Sequence, residues 1–145
     1  MKHKKLLVVG VAAALSMTAV NAMALFGGWI TLTGQNLPGS VNVICHSNPA
    51  LYPIPANGSL IPLPYSLIRK MFGEPKAQNV TMHCSFSIGG NPVGTAQLYI
   101  GQNNNNMKVL AVNPAAGYSV TVDSSGTPVS VPTGNISDLS VTLSH

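Results

Sequence analysis

Short stretches in which apolar and polar residues alternate recur along the chain. The clearest is Val80–Ile88, where Val80 and every second residue after it are apolar, and the residues between them are threonine, histidine and serine. A period of two is that of a strand with one buried and one solvated face. Further β-rich stretches lie at 29–33, 41–45, 95–100, 107–112, 118–122, 128–131 and 136–143. We therefore predict an all-β fold, a small antiparallel β-sandwich or barrel of about seven to eight strands.

A proline-rich connection separates the early strands from Val80–Ile88. Six prolines between positions 49 and 75 remove backbone donors, which favours an extended or turn conformation at the surface. Apolar residues at helical spacing share one face of this connection: Leu67, Ile68, Met71 and Phe72. Arg69 and Lys70 fall on the opposite face, and Gly73 suits a helix C-terminus. We predict one short helix over residues 66–72, packed over one end of the core, with a basic, partner-binding helix as the alternative.

The N-terminal residues have the pattern of a secretory signal peptide. Lysines at positions 2, 4 and 5 precede an apolar run, 6–20, that is shorter than the roughly 20 apolar residues needed to span a bilayer. Small residues at Ala22 and Ala24 suit the peptidase, so we predict cleavage between Ala24 and Leu25. Residues 1–24 are then a cleaved signal peptide, and 25–145 are a single β-domain without a transmembrane segment. The predicted location is the periplasm, the cell surface or the medium.

Charge is sparse in the predicted mature domain. The whole chain has a formal net charge of +4, and removal of the three signal-peptide lysines leaves +1. The remaining charged residues are Arg69, Lys70, Lys76, Lys108, Glu74, Asp123 and Asp138. A protein that binds nucleic acid needs a clustered basic surface, which these scattered charges do not provide. We predict no nucleic-acid partner.

The two cysteines, Cys45 and Cys84, are predicted to form a disulfide. An exported chain meets an oxidising compartment, and an even number of cysteines leaves no unpaired thiol. Closing a loop of this length stabilises a fold by roughly 4 kcal/mol in the chain-entropy account. The alternative is a pair of buried free thiols.

Each cysteine has a histidine neighbour, in reversed order. His46 follows Cys45, whereas His83 precedes Cys84. If the strands pair antiparallel with the cysteines opposed, His46 faces His83 on the side away from the core, with Cβ atoms about 4.5–5.5 Å apart. Two opposed imidazoles suit a surface zinc or copper site that takes a third ligand from elsewhere. The candidates for that ligand are His145, Asp123, Asp138 and Glu74. The alternative is two solvated histidines that flank a disulfide.

Motifs for catalysis are missing from the sequence. The three acids of the mature chain are far apart and give no obvious carboxylate pair, and there is no G-x-S-x-G, H-E-x-x-H or phosphate-binding glycine loop. We therefore predict a protein that is not an enzyme, with no cofactor and no catalytic or cofactor-binding residue. A ligand platform built from Tyr52, Tyr65, Tyr99 and Tyr118 is a less favoured alternative to their packing in the core and at strand edges.

Two short stretches resemble chaperone and usher pilins. They are 28–34, which leads to Cys45, and 80–84. The resemblance implies a disulfide between the first two strands and assembly by strand donation. The chain departs from the pilin pattern in three respects: 61 residues follow Cys84, the end Leu143-Ser144-His145 has no near-terminal tyrosine, and Leu25 lies too close to the first strand for a long donor extension.

The leading functional hypothesis is an exported, non-catalytic β-domain that acts by surface contact. Its partner is a protein, a glycan or another copy of the chain, in binding, adhesion or self-assembly. Stretch 95–112 has only Lys108 and 118–143 has no lysine, whereas natural sheets usually protect their edges with lysine or proline. Such edges suit the addition of a partner strand. The alternatives are a small periplasmic or secreted metal-binding or hydrolytic protein, and a divergent pilin-like subunit.

Overall fold

The computed structural model describes residues 28–73, 78–102, 104 and 106–145. The predicted signal peptide and the cleavage site at Ala24 and Leu25 lie outside the described residues. The strands are β1 Trp29–Gln35, β2 Asn42–Cys45, β3 Asn48–Pro49, β4 Gly58–Ser59, β5 Leu63–Pro64, β6 Val80–Ile88, β7 Asn91–Ile100, β8 Met107–Pro114, β9 Ser119–Ser124, β10 Thr127–Pro128 and β11 Asp138–Ser144. One helix, α1, spans Tyr65–Met71.

The strands form two sheets. The first has the order β10-β9-β11-β1-β4, with β5 also paired to β1, and the second has the order β3-β2-β6-β7-β8. Within the described chain the pairs are antiparallel, except that β1 lies parallel to β11 along its whole length. Seven of these strands have four or more residues and four have only two. The predicted small all-β sandwich with one short helix is therefore confirmed.

The core lies between the two sheets and follows the predicted alternation. In β6, Met82 and Cys84 are buried, whereas His83 and Ser85 are exposed. The first sheet contributes Ile30 and Leu139 to the same buried cluster. Since successive side chains of a strand point to opposite faces, each sheet keeps a polar outer face.

The helix occupies nearly the predicted residues, but one of its side chains is placed differently. Ile68 is buried against the core, Lys70 is exposed, and Gly73 ends the helix at φ 70° with its N–H bonded to the carbonyl of Lys70. Arg69 belongs to the polar face of the predicted helix, yet only 2% of its surface is exposed. The reason is that Gly101 and Asn104, in the connection between β7 and β8, supply oxygen acceptors to the guanidinium.

Tyr65 fixes the start of α1 to the first sheet. Its hydroxyl donates a hydrogen bond to the carbonyl of Ile136 (2.8 Å), and its N–H bonds to the carbonyl of Gly28 (2.9 Å). Burial, with a smaller effect of the Asp138 carboxylate, raises the pKa of the phenol well above its usual range. A side chain at Gly28 would collide with the Tyr65 ring, so glycine allows this close approach.

The sheet edges are more protected than the distribution of lysines indicates. The lysine-poor β7 and β11 lie inside their sheets, between β6 and β8 and between β9 and β1, so the expectation of an open edge is wrong for these two strands, whereas β8, from the same lysine-poor stretch as β7, is an outer strand. Four outer strands, β3, β4, β5 and β10, have two residues each, and all but β4 include a proline. The fifth, β8, is eight residues long and forms the other edge of the second sheet. Residue Ile136 also forms two backbone hydrogen bonds with Met107 at the start of β8. Short strands, prolines and covering segments are ways in which natural sheets avoid edge pairing.

Candidate functional site

The predicted disulfide is formed. Cys45 of β2 and Cys84 of β6 are directly opposed, with a Cα–Cα distance of 4.1 Å. Both cysteines point into the core beside Val43 and Met82. A buried disulfide fits a protein that folds in an oxidising compartment, as the export prediction requires.

The register that opposes the cysteines also brings the two histidines together. His46 follows β2 directly in a left-handed conformation (φ 50°), and its N–H donates to the carbonyl of His83 (3.3 Å). The two rings are 6.3 Å apart between centroids and nearly perpendicular, at 82°. Both side chains are exposed on the outer face of the second sheet. His46 and His83 therefore lie opposite each other, as the antiparallel register predicted.

One hydrogen bond determines which nitrogen of His46 a metal ion would use. The Nε2 atom of His46 lies 3.1 Å from the carbonyl oxygen of Thr81, which only accepts, so Nε2 carries the proton of the bond. A metal ion would have to bind the Nδ1 atom. Within the part of the chain that the structure describes, no group of three His, Cys, Asp or Glu residues is assembled for a metal. Metal binding by His46 and His83 thus stays a prediction.

A groove of about 570 Å³ crosses the same outer face. We define the sheet groove by two rows of outward-facing residues that run across β2, β6, β7 and β8. The first row, read from the strand pairing, is Ile44, Ser85, Thr95 and Asn113. The second row is His46, His83, Gln97 and Ala111. All eight residues line the groove, together with Ser47, Cys84 and Ala96.

The lining of the sheet groove combines polar groups with a somewhat larger apolar surface. Its lining includes small side chains at Ser85, Thr95 and Ala111. Among the described residues that line it there is no Asp, Glu, Lys or Arg. The cation Lys108 lies two residue pairs further along β7 and β8, with its Nζ 5.2 Å from the centre of the Tyr99 ring. The surface therefore offers hydrogen bonds without a formal charge.

Two crevices between the sheets have a different character. Their volumes are about 30 Å³ and 50 Å³, and Leu32 and Phe86 line both of them. Their walls are largely aliphatic and aromatic side chains of the core. Spaces of this size hold about one water molecule or stay dry when the lining is apolar. We regard them as packing gaps of the core.

The fold brings two acids together that the sequence separates. Asp123 of β9 is opposite Ser140, and Asp138 lies two residues before Ser140 on β11. The two carboxylates are therefore diagonal neighbours on the outer face of the first sheet, where Cβ atoms are typically about 7–8 Å apart. The Ser125 hydroxyl donates to Oδ2 of Asp138 (3.0 Å). Sequence reasoning missed this pair because only the β9–β10 hairpin and the return of β11 create it.

The four tyrosines lie in different environments and do not form one platform. Tyr65 is buried, and Tyr52 is 51% exposed in the proline-rich connection. The ring of Tyr118 packs against His145 with centroids 4.6 Å apart, and Tyr99 lies below Lys108. Only Tyr99 shares the face of the sheet groove.

The comparisons with known proteins name no family. No family model matches the chain, and neither a curated protein nor a solved structure is significantly similar to it. The described helix is not long and apolar enough to cross a membrane. Fold and site together define a disulfide-linked β-sandwich protein with an uncharged groove on one sheet.

Two features of the fold bear on the pilin resemblance. The disulfide joins β2 to β6, whereas the resemblance implies a bond between the first two strands. The first strand, β1, pairs with β11 over all seven of its residues. The pilin-like subunit stays a prediction of the sequence.

Proposed function

We propose that the protein is an exported, non-catalytic binding module that makes contact with its partner through the sheet groove. The observation that carries the proposal is a groove of about 570 Å³ on a sheet face where none of the described lining residues is Asp, Glu, Lys or Arg. This volume is in the range of about 300–1,000 Å³ that is common for ligand sites. The export half of the proposal is supported by the N-terminal signal pattern and by the buried disulfide.

The outer face of the second sheet is a better candidate for the contact surface than a strand edge. Four of the outer strands, β3, β4, β5 and β10, are two residues long, and Pro49, Pro64 and Pro128 lie in three of them. Proline has no N–H to donate to an added strand. The remaining outer strand, β8, has eight residues, and its first part is covered because Met107 and Val109 form backbone hydrogen bonds with Ile136 and Thr133. We therefore favour contact through side chains of β2, β6, β7 and β8 over the edge addition that the sequence favoured, for which β8 is the one long edge among the described strands.

The first test uses a charge placed in the sheet groove and the same change on the other sheet. Thr95 and Thr121 are both exposed strand residues, on β7 and β9 respectively. Fluorescently labelled protein is titrated onto intact cells and isolated envelopes of the producing organism, and self-association is followed by sedimentation velocity. We expect saturable binding or self-association that Thr95→Arg weakens by about tenfold or more, because an unpaired charge is buried in the contact.

The control is Thr121→Arg, which should bind like the wild type. Circular dichroism checks that both variants remain folded. Equal binding by the two variants would place the contact surface elsewhere and refute the proposal. The same conclusion follows if the wild type neither binds envelopes nor self-associates at any concentration tested.

A metal-binding function is the second candidate, favoured by the two imidazoles with ring centroids 6.3 Å apart. A zinc–nitrogen bond is about 2.0–2.1 Å long, so small rotations of the two exposed rings would let them share one ion. Water would complete the coordination, which makes the expected site weak. Its affinity would also depend on pH, since metal ions compete with protons for imidazole nitrogen.

Calorimetric titration with zinc or copper sulfate tests this candidate. We expect one ion per chain, released by EDTA, and no uptake by His46→Ala or His83→Ala. The matched control is His145→Ala, because His145 packs against Tyr118 instead of His46. Uptake that is unchanged in both His46→Ala and His83→Ala would exclude the pair as the ligands.

A further inference from the structure

We infer that the sheet groove binds a neutral, hydroxyl-rich carbohydrate chain. This inference rests on the proposed function and gives it a ligand class. It is carried by the two cross-strand rows that line the groove, their hydrogen-bonding groups and the lack of formal charge among the described lining residues.

The lining offers groups that both donate and accept hydrogen bonds. Ser85 and Thr95 contribute hydroxyls, and Gln97 and Asn113 contribute carboxamides. A hydroxyl or a carboxamide can donate to one partner and accept from another. A sugar hydroxyl has the same double capacity, so a chain of sugar units meets complementary partners along the rows. Ligands that only accept or only donate use this lining less well.

The charge of the lining excludes the ionic alternatives. Sites for phosphate, sulfate or carboxylate groups use arginine, lysine or helix N-termini. None of the described residues that line the sheet groove is arginine or lysine, and the groove is built on strands. An anionic polysaccharide would therefore find no arginine or lysine counter-charge in it. A cationic ligand would likewise find no carboxylate there.

The composition of the groove also disfavours a protein partner. The centres of protein–protein interfaces are enriched in Tyr, Trp, Phe, Met and Arg. The described residues of the lining include none of these five types. Their largest apolar member is Ile44, which is 39% exposed.

The dimensions suit a short oligosaccharide that lies across the strands. Neighbouring strands are about 4.8 Å apart, so a row over four strands spans about 14 Å. Residues two apart along a strand are about 7 Å apart, which is the separation of the two rows. At one end Ile44, His46 and His83 supply apolar or aromatic surface. The C–H face of a sugar ring can pack there while its hydroxyls reach Gln97 and Asn113.

The experiment starts from a glycan array that carries neutral oligosaccharides (glucans, mannans, galactans and N-acetylglucosamine polymers) and anionic ones (uronic-acid and sulfated chains). The purified protein is applied at several concentrations, and the tightest neutral oligosaccharide is then titrated in solution. We expect binding to a neutral class. Gln97→Ala should weaken it by roughly three- to tenfold, the loss expected for one hydrogen-bonding group, and Thr95→Arg should abolish it.

The matched controls lie outside the groove. Gln102→Ala removes an exposed carboxamide from the β7–β8 connection, and Thr121→Arg adds a charge to the other sheet, so both should bind like the wild type. Binding restricted to anionic chains, no binding to any neutral chain, or neutral binding that Thr95→Arg leaves unchanged would each overturn the carbohydrate inference.

Treatment of the envelope separates this inference from the proposed function. Periodate cleaves the vicinal diols of sugars, whereas a protease removes surface proteins. If periodate abolishes envelope binding, the carbohydrate inference is supported. If only the protease abolishes binding that still depends on Thr95, the ligand is a protein; the carbohydrate inference then fails while the binding-module proposal stands.

Discussion

Replacement of Arg69 by alanine should lower the free energy of unfolding by about 3 kcal/mol or more, because buried and partly buried acceptors lose their donor. The guanidinium donates from Nε to Oδ1 of Asn104 (2.9 Å) and from Nη2 to the carbonyl of Gly101 (2.8 Å). Its Nη1 donates to the carbonyl of Gln78. One side chain thus forms hydrogen bonds that link α1 to the residues just before β6 and to the β7–β8 connection.

The measurement is a urea titration followed by tryptophan fluorescence and circular dichroism, with Arg69→Lys and Lys70→Ala as companions. Lysine has a single ammonium group in place of a planar fork, so Arg69→Lys should recover only part of the loss. Lys70 is exposed on the same helix, and its replacement should change stability by less than about 0.5 kcal/mol. Equal unfolding midpoints for Arg69→Ala and Lys70→Ala would mean that the buried guanidinium does not stabilise the folded state.

Loss of the disulfide has the second large expected effect. Cys45 and Cys84 are 39 residues apart, and a loop of that length stabilises the folded state by roughly 4 kcal/mol in the chain-entropy account. We expect the double variant Cys45→Ala, Cys84→Ala to unfold at a temperature roughly 10–20 °C lower than the wild type. Alanine at both positions avoids a free thiol and leaves a small cavity beside Met82, which adds to the loss.

The control for the disulfide prediction is the wild type measured with and without dithiothreitol. Reduction should reproduce most of the destabilisation of the double variant and should leave that variant itself unchanged. Thiol counting under denaturing conditions should find no free thiol before reduction and two afterwards. A wild-type melting temperature that dithiothreitol does not change would refute the predicted contribution of the bond.

The disulfide also has a consequence for the outer face. It fixes the pairing of β2 with β6, and this register places Ile44 beside Ser85 and His46 beside His83. The sheet groove is built on the same four strands. Reduced protein should therefore lose ligand binding at temperatures where the wild type is still folded, which makes binding a sensitive readout in the same titration.

The local sequence pattern was enough to predict the central strand of the second sheet and its pairing with β2. The alternation in Val80–Ile88 identified β6 with its correct buried face, because the period of two is a property of the strand itself. The reversed order of Cys45-His46 and His83-Cys84 was enough to predict both opposed pairs, since antiparallel register follows once one pair is fixed. The helix was placed within one residue from its apolar spacing and Gly73.

Contacts between distant segments decided the rest, and a single sequence carries no local signal for them. The burial of Arg69 depends on oxygen acceptors in the β7–β8 connection, and the neighbouring positions of Asp123 and Asp138 depend on the return of β11. The parallel pairing of β1 with β11 joins residues more than 100 positions apart. The sheet groove arises only when β2, β6, β7 and β8 lie side by side, because its rows run across strands and not along any one of them.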